Sequence, residues 1–144
     1  MNNLAISHKN LLEYDLAEQF CLKIIGINKR YINAYINLGN LKRDLNKFNE
    51  AIKLYETALS ITTENPIIYY SLALAHQGIG NFEKTIIYSK KVLEINPNFT
   101  RADHLISQSI KYDEKNEHYK SLKNKKNDKN LKDFEKVDLL FSLA

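Results

Sequence analysis

Between Asn33 and Ile61 apolar residues recur every three or four positions in two blocks, Asn33–Leu45 and Lys47–Ile61, split by the polar Asn46. That spacing predicts two helices, each with one apolar face. From Pro66 to Ile95 the same skeleton returns, with Gly80 at the split. The stretch NLGNLKRDLNKFNEAIKLYETALSI (Asn37–Ile61) aligns with SLALAHQGIGNFEKTIIYSKKVLEI (Ser71–Ile95) at a constant offset of 34 residues. With residue 32 as the first position of a unit, the seventh column reads Leu4, Leu38, Leu72 and Ile106, and the eighth reads Ala5, Gly39, Ala73 and Ser107. The seventeenth holds Tyr14, Phe48 and Phe82, the twentieth Ala17, Ala51 and Thr85, and the twenty-eighth Ile25, Leu59 and Leu93. One register therefore runs from the first residues to about residue 110.

Each column has a physical reading. Small residues in the eighth column allow two helices to approach closely, and the aromatics of the seventeenth are expected to fill the space opposite. Asn46 and Gly80 are residue types that accept the positive φ of a helix end. Pro66 suits the first turn of a helix, where its missing N–H costs little. Pro97, after LEIN, ends the preceding one. A unit is thus a helix, a turn and a helix. Such a pair cannot cover its own apolar face, so it needs neighbours stacked on it. The fold class implied is all-α: a solenoid of stacked antiparallel helix pairs with a helical C-terminal extension. The first pair is the least regular, because Leu12 stands in the turn column. Met1 is already the fourth position of its unit, so the array is expected to begin inside a helix.

The columns resemble those of the tetratricopeptide repeat family. Its aromatic, Leu-Gly, Ala, aromatic and Pro pattern reads here as Tyr35, Leu38-Gly39, Ala51, Tyr55 and Ala58, then as Tyr69, Leu72-Ala73, Phe82, Val92 and Pro97. Thr63 departs from the family's usual proline. The resemblance covers about residues 1–112, as units of about 1–31, 32–65, 66–99 and a partial 100–112. It implies a groove lined by the first helices of successive units, the family's usual peptide-binding surface. Carried onto this chain, the groove columns are Asn33, Ile36, Asn40, Arg43 and Asp44, then Ile67, Tyr70, Leu74 and Gln77, then Arg101, His104, Gln108 and Lys111. Ile36, Ile67, Tyr70 and Leu74 would meet apolar anchors of a partner. Asn side chains can pin an extended backbone, and Arg43, Arg101 and Lys111 can meet carboxylates. The family's clamp for chaperone C-terminal carboxylates is not reproduced: Asn40 and Arg101 fit it, whereas Ile36, Ser71 and Leu105 do not.

After Tyr112 the register stops, and residues 113–144 read as a charged helical linker followed by an amphipathic helix. KSLKNKKNDKNLK (Lys120–Lys132) holds six Lys and one Asp, a solvated helix end and linker rather than an anion-binding patch. Phe134, Val137, Leu140 and Phe141 then share one helical face, behind Asn130 as a cap. This tail is similar to the linker of bacterial proteins that join a tetratricopeptide array to a sulfotransferase domain. The resemblance implies that the chain is the N-terminal part of such an enzyme, with catalysis encoded beyond residue 144. Otherwise the last helix packs on the array and fills its groove.

Composition adds mainly exclusions. The chain is 44% apolar and 26% charged, a globular balance. No run of about 18 apolar residues is present, as a membrane span requires, and the N-terminus lacks the form of a signal peptide. Cytoplasmic residence is the default. Net charge is +4, from 21 basic and 17 acidic residues, spread along the chain rather than clustered. With an apolar groove, this argues against helical-repeat RNA binding. The four glycines form no phosphate-cradling loop. His8, His76, His104 and His118 form no i, i+4 pair and no metal set. His8 and His76 share one column, two units apart. Cys21, the single cysteine, falls on an inward column and is expected in the core. No cofactor and no catalytic motif is expected within these residues. The function expected is a non-catalytic interaction module that holds a peptide or partner-protein segment, without nucleic-acid or membrane partners.

Overall fold

The computed structural model describes residues 2–109, 121–122 and 124–125, with side chains from residue 10 onward. Six helices follow in order: α1 (Asn2–Ile27), α2 (Ile32–Asp44), α3 (Phe48–Ile61), α4 (Pro66–Gly78), α5 (Phe82–Ile95) and α6 (Thr100–Ser109). No strand occurs among the described residues, and the fold is an all-α helical-repeat solenoid. The helices fall into two compact units, Met1–Thr63 and Glu64–Ala144.

In the first unit α2 and α3 form a hairpin. Its turn is made at Asn46, with φ +60°. The N–H of Asn46 donates to the carbonyl of Arg43 at 2.9 Å, and that of Lys47 to the carbonyl of Lys42 at 2.8 Å. These two bonds satisfy carbonyls that a helix end leaves open, in the Schellman arrangement. Leu38 of α2 and Ala51, Tyr55 and Ala58 of α3 are buried inside the hairpin. The close approach is made at Gly39, where an added Cβ would overlap the Tyr55 ring. The residue opposite the small eighth column is therefore Tyr55, in the twenty-fourth column, and not the seventeenth-column aromatic. Phe82 of that column is in fact half exposed.

α1 departs from the helix–turn–helix expected of residues 1–31. It is one continuous helix of 26 residues. The physical reason lies at the turn column. Asn46 and Gly80 take a positive φ, whereas the Cβ and branched side chain of Leu12 make that conformation costly. The second half of α1 packs on α2. Lys42 of α2 binds Glu18 of α1 at 2.7 Å and Glu50 of α3 at 3.2 Å, so one ammonium ties three helices together.

The second unit repeats the hairpin with α4 and α5. Asn65 caps α4 by accepting from the N–H of Ile67 at 3.0 Å, with Pro66 in the first turn. Asn81 caps α5 by accepting from the N–H of Lys84 at 3.2 Å. The turn at Gly80 has φ +77° and repeats the bond pattern, with Asn81 donating to the carbonyl of His76 at 2.9 Å. The twentieth-column Thr85 is fully buried, and its hydroxyl bonds the carbonyl of Asn81 at 2.9 Å. The unit's core is Ile68, Leu72 and Ala75 of α4, Val92 of α5, and Ala102, Leu105 and Ile106 of α6.

Residues 121–122 and 124–125 are helical. Leu122 is fully buried, and Lys125 Nζ binds the buried Asp103 carboxylate of α6 at 2.7 Å. This part of the lysine-rich stretch is therefore structural and not a solvated linker. The remainder of residues 110–144, including the amphipathic helix expected at 131–144, lies outside the described residues, as do Lys111 and His118.

Candidate functional site

The first helices of the repeat carry the expected groove columns, and the structure treats them unequally. On α2, Asn33 is exposed and Arg43 is half-buried. Ile36, expected as a free apolar contact, is only 7% exposed and is part of the core. Asn40 is also committed: its amide oxygen accepts from the Tyr55 hydroxyl at 2.7 Å. That bond supplies a partner for the polar end of a buried tyrosine, so Asn40 holds the hairpin before it holds any ligand. Beside it lies a cleft of about 350 Å³ between α1 and α2, lined by Phe20 and Cys21 of α1 and Asn37, Asn40 and Asp44 of α2. Burial, and the charge of Glu18 nearby, push the Cys21 thiol up from its ordinary pKa. Such a thiol is poorly nucleophilic at neutral pH.

In the second unit the columns of α4 and α6 come together. Tyr70 of α4 packs against Phe99, just ahead of α6, with ring centroids 5.1 Å apart. Two helical turns further along α4, Gln77 donates through Nε2 to Oε1 of Gln108 at 3.0 Å. Between these pairs lie the half-buried Leu74 and His104. Ile67 is 52% exposed beside the aromatic pair, and Arg101 is exposed on α6. This face therefore has an apolar, aromatic end and an amide end, with a cation at its edge. Phe99 and Phe20 were not among the expected contact residues. Phe99 stands in the last column of its unit and Phe20 in a column that belongs to the second helix of a regular unit, so the groove columns pass over both.

His76 is buried and stacked on Tyr88 at 5.5 Å, a packing role. Among the described residues no group of three or more His, Cys, Asp or Glu could hold a metal ion. No described helix is long and apolar enough to cross a membrane.

Helix pairs repeated at 34 residues, each closed by the same turn, place the chain in the class of helical-repeat proteins. The family model of the tetratricopeptide repeat protein 21 C-terminal ARM domain matches residues 3–111. The chain belongs to this tetratricopeptide-type family. Human sperm-associated antigen 1 is 30% identical over 100 residues, 69% of this chain and 10% of that protein. The mitochondrial import receptor subunit TOM70 of Saccharomyces cerevisiae is 31% identical over 73 residues, 51% of this chain and 12% of that protein. The chain thus spans about a tenth of the length of these relatives. Among solved structures, YrrB, described as a TPR protein with an unusual peptide-binding site, superposes with a TM-score of 0.70 at 20% identity, over 98% of this chain and 71% of that one. That likeness is one of fold.

Proposed function

We propose that the chain is a non-catalytic interaction module, and that the shared face of α4 and α6 holds a segment of a partner protein. The observation that carries this reading is the exposed Ile67 beside the Tyr70–Phe99 pair, with the Gln77–Gln108 amides at the far end of the same face. An apolar anchor of the partner would rest on Ile67 and the aromatic rings, where burial contributes most to affinity. The amides would bond its backbone, and Arg101 favours an acidic neighbour. Peptide binding by YrrB and the receptor role of TOM70 support a partner of this kind.

The test is selection of binding peptides from a displayed library on the native chain, followed by titration of the best binder against variants. Ile67→Asp and Tyr70→Ala are expected to weaken binding by tenfold or more, and Gln108→Ala by a smaller factor, with helical content by circular dichroism unchanged. Equal affinity of all three variants and the native chain would place the binding surface elsewhere.

A further inference from the structure

α1 carries a row of large apolar side chains that stay more than half exposed among the described residues: Leu12, Leu16 and Phe20, the last 66% exposed. They are four residues apart and so share one face of the helix. The equivalent of Phe20 in the repeat of residues 66–99 is Tyr88, which α4 covers through Tyr69 and His76 at 6.3 and 5.5 Å. What covers that column in a complete unit is thus the unit's own first helix. In the first unit the corresponding residues, 2–11, run straight on from the second half of α1 and cannot fold onto it.

The repeat register states what is missing. Gly39 meets Tyr55, which joins the eighth column to the twenty-fourth. The same columns in the first unit are Ala5 and Cys21. They are 16 residues apart on one unbroken helix, about 24 Å along its axis at 1.5 Å per residue, so they cannot meet within one chain. The cleft beside Phe20 and Cys21 is bounded on its other wall by Asn40 and Asp44 of α2, the ninth and thirteenth columns. In the second unit Gln77 of the twelfth column reaches Gln108 of the ninth. The twelfth column of residues 2–11 is Lys9, and the ninth column of α2 is Asn40.

We infer that the chain forms a swapped dimer, in which residues 2–11 of each copy lie antiparallel on the Leu16–Phe20 face of the other and fill its cleft. The arrangement is isologous, so both faces are covered by one contact made twice. It pairs Ala5 with the partner copy's Cys21 and brings the Lys9 position to the partner copy's Asn40. Leu12 is the hinge: a residue able to take a positive φ there would let the segment close on its own chain.

The test uses the native chain, its Ala5→Cys variant and the Ala5→Cys/Leu12→Gly double variant. Sedimentation over a dilution series under reducing conditions is expected to show a native dimer, and the double variant is expected to associate tenfold or more weakly than Ala5→Cys. Oxidised Ala5→Cys, with Cys21 as its only other thiol, is expected to run as a covalent dimer on a non-reducing gel. The double variant is expected to shift that cross-link to within one chain. A within-chain cross-link in Ala5→Cys alone would overturn the proposal, because residues 2–11 would then already fold back. So would a chain that stays monomeric at every concentration, or a dimer in which residues 5 and 21 never cross-link, since another surface would then join the copies.

Discussion

Gly39 and Tyr55 define the closest approach of α2 and α3: a Cβ built on Gly39 would overlap Cε1 of Tyr55 and lie 2.9 Å from its Cδ1 and Cζ. In the second unit the same two columns hold Ala73 and Ser89, both fully buried. Size is exchanged between the partners: glycine against tyrosine, alanine against serine. Tyr55 cannot yield, because its ring is buried and its hydroxyl is bonded to Asn40.

Gly39→Ala is therefore expected to destabilise the chain by about 1–3 kcal/mol, the cost of overpacking a core. In a Tyr55→Ser background the same substitution is expected to cost much less, because the pair then matches that of the second unit. Urea unfolding of the four chains of this double-mutant cycle measures the coupling. Equal cost in both backgrounds would mean that Gly39 serves another contact.

The Lys42 ammonium is held above the ordinary lysine pKa of 10.5, chiefly by its hydrogen bond to Glu18 and then by Glu50, against the opposing effect of burial. A pKa raised in the folded state contributes stability that is full below 10.5 and is lost as pH rises through the higher folded value. Lys42→Met is expected to cost about 1 kcal/mol at neutral pH, Glu50 being too exposed to add much. Urea midpoints of the two chains are expected to differ at pH 7 and to converge above pH 10.5. A gap that persists in strong alkali would assign the cost to packing of the lysine stem.

Leu122 and Lys125 make residues 121–122 and 124–125 part of the second unit. Leu122→Ala is expected to cost about 2–4 kcal/mol, as for other buried leucines. Lys125→Met removes the ammonium from the buried Asp103 carboxylate and is expected to cost about 1–3 kcal/mol. A thermal melt of each variant measures this. Unchanged transitions would return residues 121–125 to the status of a linker.

Cys21 is buried against α2 with its thiol pKa raised. Its alkylation by iodoacetamide at pH 8 is expected to run at least about tenfold slower than that of a small-molecule thiol. Adding urea above the unfolding midpoint is expected to remove the protection. Fast labelling of the native chain would show that the α1–α2 contact opens readily.

The fold was legible in the sequence because the period is carried by columns with one physical job each. Asn46 and Gly80 marked the turns, Pro66 a helix start, and Leu38 and Leu72 the core. What escaped was anything set by pairing between columns. The size exchange of Gly39 with Tyr55 and Ala73 with Ser89 involves two positions at once, and a column-by-column reading assigned the space to Phe48 and Phe82 instead. Ile36 and Asn40 sit in groove columns, yet burial removed the first and the Tyr55 hydroxyl engaged the second. Leu12 was visible as an irregular residue. Its consequence, one continuous helix through the turn column, showed only in the structure.

The matched turns at Asn46 and Gly80 also order events in time. Each closes a helical hairpin whose two arms are neighbours in sequence, so the contacts that form first span a short stretch of chain. α1 has no such closure at Leu12, and within one chain its second half is held by docking on α2. Refolding is expected to nucleate in the two hairpins and to add α1 last. Substitutions at the turns then slow folding, while those in α1 chiefly hasten unfolding.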